Sequence, residues 1–117
     1  MPQSLEHLRT LNENELLELL GKELSHRQAM PLTPNQLRMM AGRWLKGNKE
    51  LIEKKICLSE KIYSLVKSQT DSKELIIAVC DLIISLQFGV SPLLVSILLV
   101  KGGINKICEN RWSVRNG

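Results

Sequence analysis

The chain has 117 residues, a formal net charge of +4 and only 3% aromatic side chains. That is enough chain for one domain with its own core. Leu, Ile, Glu and Lys are frequent and long alternating β-branched runs are absent. All-β classes are therefore excluded, and the expected class is all-α: a compact bundle of five or six helices in a single domain over 1–117. Fraying is expected at 1–11 and 111–117.

Met1 to Thr10 is a weak helical start with Leu5 and Leu8 as anchors. Asn12 followed by Glu15 is a capping-box pattern. Leu16, Leu17, Leu20 and Leu24 then repeat at helical spacing, so a helix is predicted over about 13–27. Pro31 closes it. Thr33, Pro34 and Gln36 open the next helix with a cap, a proline at the first position and a box partner.

From Leu37 to Val66 the apolar period continues, with Arg38, Arg43, Lys46, Lys49, Lys54, Lys61 and Lys67 opposite. One helix over 34–68 would be about 52 Å long. A compact domain of this size has a radius of gyration near ~13 Å. The mismatch predicts a break at Gly47-Asn48, followed by a second helix over 49–68. Cys57 falls toward the polar face of that helix, between Lys54 and Lys61. Neighbouring ammonium groups favour a thiolate, which makes Cys57 the candidate reactive thiol. Met30, Met39 and Met40 are expected to pack adaptably around a bend. His7 and His26 are expected on solvated or helix-end positions.

Asp71 with Glu74 is a third capping pattern. It opens the most apolar part of the chain, Leu75 to Val100, in which Asp81 is the one charged residue. Glu74, Ala78, Asp81 and Ser85 form a narrow polar stripe on the first helix. Gly89-Val90-Ser91-Pro92 divides the stretch, with Ser91 as cap and Pro92 as first helical residue. Pro92 to Val100 has Ser96 as its only polar side chain, and Gly102-Gly103 stops it. A helix with no polar face cannot lie on a solvated surface.

The pair at 74–101 resembles a helix-turn-helix: Ser85, Gly89, Val90, Val95 and Leu98 stand at the motif's small, turn and apolar positions. The resemblance implies DNA reading by the second helix. Leu93, Ile97 and Val100 stand where polar base-reading side chains would be needed. The helix is therefore expected to serve as a core element or as a homodimer seam, with Leu93, Ile97 and Val100 as the candidate interaction surface. Ile107 and Cys108 are expected to pack inward from a short last helix at 104–110, and Trp112 is positioned to dock.

The three cysteines, Cys57, Cys80 and Cys108, are odd in number and widely spaced. Neither a disulfide framework nor a zinc site is expected. The polar, acidic N-terminus has no signal-peptide pattern, so a reducing, cytoplasmic setting is expected. No catalytic, metal or cofactor constellation stands out. The expected function is a non-enzymatic protein-interaction or regulatory domain whose partner is another protein or a second copy.

The alternative is a basic nucleic-acid-associated regulator. Residues 28–68 carry eight basic against three acidic side chains, with Arg38, Arg43, Lys46, Lys49, Lys54 and Lys61 as candidate phosphate contacts. Glu50, Glu53 and Glu60 share that face, as on an ordinary solvated helix. Membrane association through 75–100 is a lesser alternative. A span needs about 20 apolar residues, and here it would have to run through Gly89 and Pro92.

Overall fold

Local signals place most of the helix starts. A computed structural model describes residues 4–26 and 31–116 of the chain. Among these are nine helices and no strand: α1 (Leu5–Thr10), α2 (Glu13–Leu24), α3 (Pro34–Gly47), α4 (Lys49–Cys57), α5 (Glu60–Lys67), α6 (Ser72–Leu86), α7 (Pro92–Gly102), α8 (Ile104–Ile107) and α9 (Glu109–Asn116). Asn12 and Thr33 each form a full capping box, with Glu15 and Gln36 respectively. Ser91 Oγ accepts the Leu94 N–H at 3.2 Å. Asp71 also caps, accepting the Lys73 N–H at 3.4 Å. Helix α2 ends at Leu24 with Ser25 as its C-cap, short of the expected end near Arg27, and Met30 lies outside the described residues.

The long basic run is broken twice. At Asn48 the side-chain amide donates to the Trp44 carbonyl at 2.8 Å, alongside the backbone N–H at 3.1 Å. A side chain that takes a backbone carbonyl competes with helix continuation. This is the break expected at Gly47-Asn48. The second break corrects the expected 49–68 helix. Ser59 is extended and its hydroxyl accepts the Ile62 N–H at 3.3 Å, so α5 starts anew there. More helices result than the expected five or six because these interruptions, with those at Gly103 and Cys108, divide runs that look continuous in sequence.

The helices assemble around α7, which packs against α1, α2, α6 and α8. Residues Leu94 to Leu98 are all buried. Ser96 sits in this core without an unpaired group, because its hydroxyl donates to the Pro92 carbonyl at 2.7 Å. Helices α6 and α7 pack against each other and are joined by a turn. The turn uses left-handed backbone at Gln87 (φ 52°) and at Gly89 (φ 78°). Glu23 Oε1 accepts the Ser91 N–H at 2.7 Å and so ties α2 to the start of α7.

Near both ends of the described residues, side chains pack inward. Leu8 of α1 is buried. At the other end α9 is a helix and Trp112 is only 3% exposed. The indole Nε1 donates to the Cys57 carbonyl at 2.9 Å, and the ring meets Tyr63 edge-on at 5.1 Å. Trp112 docks where the sequence positioned it.

Close approach of α2 and α3 depends on Gly21. A Cβ there would lie 2.7 Å from the Leu37 carbonyl carbon and 2.8 Å from its Cα. Both obstacles are backbone, so no rotamer change relieves the clash. Gly21→Ala should therefore lower the unfolding free energy by about 1–3 kcal/mol, despite alanine's better helix propensity. Urea denaturation checks this; an unchanged or raised midpoint would mean that α2 and α3 do not approach so closely.

Candidate functional site

The apolar face of α7 is not a surface. Ile97 is 0% exposed, and Leu93 and Val100 are half-buried. The candidate surface Leu93–Ile97–Val100 is thereby corrected to core and core margin. Coverage comes from within the chain, by α1, α2, α6 and α8. A helix buried in this way cannot enter a DNA groove, so α7 does not offer the base-reading face that the helix-turn-helix resemblance implies.

Cys57 is also corrected. It is 2% exposed and bonded to Cys108, with Sγ atoms 2.07 Å apart. The reason is the tail: α8 and α9 return over the end of α4 and cover the side that a wheel of residues 49–68 leaves open. The missed disulfide and the missed α9 are one omission. The spacing of Ile104, Cys108 and Trp112, each four residues from the last, was the available signal.

The basic residues occupy the outside. Arg43, Lys46, Lys49, Lys54 and Lys61 are exposed, as are Glu50 and Glu60 among them. Arg38 is half-buried and pairs with Glu18 of α2 at 3.6 Å. Lys67 stands over the Tyr63 and Trp112 rings, 5.4 and 5.9 Å from their centroids. An open groove of about 580 Å³ is lined by Leu45, Ile52 and Leu99 together with Lys46, Lys49 and Glu53. Its charges are mixed, and the structure does not gather the basic residues into one unopposed patch there. His7 and His26 are both exposed, as expected. Met39 is exposed and Met40 half-buried, both within α3.

The outward stripe of α6 differs from the one expected. Glu74, Asp81 and Ser85 are exposed, but Ala78 is buried. In its place the surface carries Ile77 (48% exposed) and Ile84 (55% exposed). They are seven residues apart and so nearly superposed on the helix. Cys80, three after Ile77 and four before Ile84, is half-buried on the same side. Its thiol pKa is raised by burial, lowered in part by the Ser96 hydroxyl, and raised again by the Asp81 charge nearby.

Among the described residues no helix is long and apolar enough to cross a membrane. The 75–100 stretch is two helices joined by a turn. Comparison of the chain with models of known protein families, with curated proteins and with solved structures finds no match.

The cysteine arrangement makes a direct prediction. Under non-reducing native conditions a thiol reagent should label one site, Cys80. Its rate should keep rising with pH beyond the range of an ordinary thiol, because the raised pKa keeps the thiolate scarce. Peptide mapping by mass spectrometry reads the site, and labelling at Cys57 or Cys108 would contradict the disulfide.

Proposed function

We propose that the protein is a non-enzymatic helical domain acting through protein contact, with the outer strip of α6, not α7, as a self-association face. The observation that supports this is the pair Ile77 and Ile84, each about half exposed on one line of a 15-residue helix. Water contact with aligned aliphatic side chains is unfavourable, and a partner surface relieves it.

The strip is self-complementary. In an antiparallel pair of α6 helices the two-fold axis passes between Cys80 and Asp81, and each Ile77 meets Ile84 of the second copy. Lys73, Glu74 and Ser85 are exposed beside the strip and supply a polar rim. A regulatory role fits such a module because assembly state then follows concentration.

What supports an oxidising setting, in place of the cytoplasmic one expected, is the Cys57–Cys108 disulfide. A second reading, nucleic-acid association, draws on the exposure of Arg43, Lys46, Lys49, Lys54 and Lys61. It requires salt-sensitive retention on heparin or duplex DNA.

Sedimentation equilibrium over a concentration series tests the first reading. The wild-type chain should dimerise, and Ile77→Glu and Ile84→Glu should each give a monomer with a near-native unfolding midpoint, since both side chains are exposed within one protomer. A wild type that is monomeric at every concentration, or a dimer untouched by both changes, would overturn it.

A further inference from the structure

A second site lies away from the α6 strip, where α1, α6 and the end of α7 meet. A crevice of about 260 Å³ is lined by Arg9, Ser72, Ile76, Ile97, Val100 and Lys101. We propose that this crevice binds a phosphate-class oxyanion carried on a small organic group.

The lining contains two cations and no carboxylate. Two like charges facing one crevice raise its energy unless an anion joins them. The acids nearest in sequence are engaged elsewhere or turned away. Glu6 pairs with Lys73 at 3.7 Å. The Asp71 carboxylate accepts the Lys73 N–H. Glu74 lies about 160° around α6 from Ile76.

The donors are also positioned. Arg9 Nη2 donates to Ser72 Oγ at 3.0 Å, which fixes the guanidinium across a sequence separation of 63. That bond uses one of the five guanidinium N–H groups. Because the Ser72 oxygen is the acceptor, its own O–H remains to donate to a ligand. Arginine's planar fork suits two oxygens of one phosphate, and Lys101 adds a mobile point charge. Val100, half-buried, supplies accessible apolar wall for the organic part, with the buried Ile76 and Ile97 behind it. At ~30 Å³ per water the crevice displaces roughly nine waters, which is room for a phosphate and a small substituent.

Isothermal titration of the full chain with inorganic phosphate, at fixed ionic strength, tests the site. One saturable site is expected. Lys101→Gln should weaken binding at least about tenfold, the scale of one charge-assisted hydrogen bond. Lys101 is exposed, so this change leaves the fold intact. Lys55→Gln, which removes an exposed charge from α4, should leave the affinity unchanged. Phenyl phosphate should bind more tightly than inorganic phosphate if the apolar wall takes part as proposed. Absence of saturable binding, equal losses in the two lysine variants, or phenyl phosphate binding no better than phosphate would overturn the proposal.

Discussion

The burial of α7 is the constraint on which the rest of the structure depends. From Leu93 to Val100, α7 is leucine, isoleucine and valine with one serine and has no side fit for water. Each fully buried aliphatic side chain on it contributes about 1.5–3 kcal/mol. The chain meets the requirement by surrounding α7 with α1, α2, α6 and α8. Two further bonds follow from this. Ser96 turns its hydroxyl back to Pro92, and Glu23 receives the Ser91 N–H at the helix start. Helix α6 packs one side on α7 and presents Ile77 and Ile84 to water on another, and Leu51 and Leu58 are exposed elsewhere.

The tail solves a separate problem. Helices α4 and α5 are short, and α5 has a single fully buried residue, Ile62. Cys108 and Trp112 add the missing cover, one through a covalent link to Cys57 and one through an indole on the same residue's carbonyl. The bridge spans 51 residues of sequence, a loop whose closure in the unfolded chain accounts for about 4 kcal/mol in the chain-entropy model. Covalent closure suits a junction in which neither wall is a long helix.

Much of the fold was legible in the sequence, and the gaps have physical causes. Caps at Asn12, Thr33, Asp71 and Ser91 are local hydrogen bonds, so four or five residues suffice to announce them. The core role of α7 was legible because it lacks polar residues on all sides. What periodicity could not show was which long-range element covers a given face. Cys57 falls on the solvated face of a wheel of residues 49–68, and α8 and α9 return over it. On α6, the polar-stripe pattern counted Ala78 outward because alanine is small and weakly apolar; small residues also fit where helices approach closely, and Ile77 took the outward place. Ser59 carried a cap signal, but the continuous apolar period masked it. The crevice at Arg9, Ser72 and Lys101 was not legible at all, since its members come from three distant helices.

The most direct measurement is the unfolding free energy of Ile97→Ala, followed by urea denaturation at several protein concentrations. With Ile97 at the centre of a core that one chain completes, the loss should be about 2–5 kcal/mol and independent of concentration. A near-zero loss, or one that vanishes as concentration rises, would place Ile97 at an interface and contradict a core closed around α7 by the chain itself.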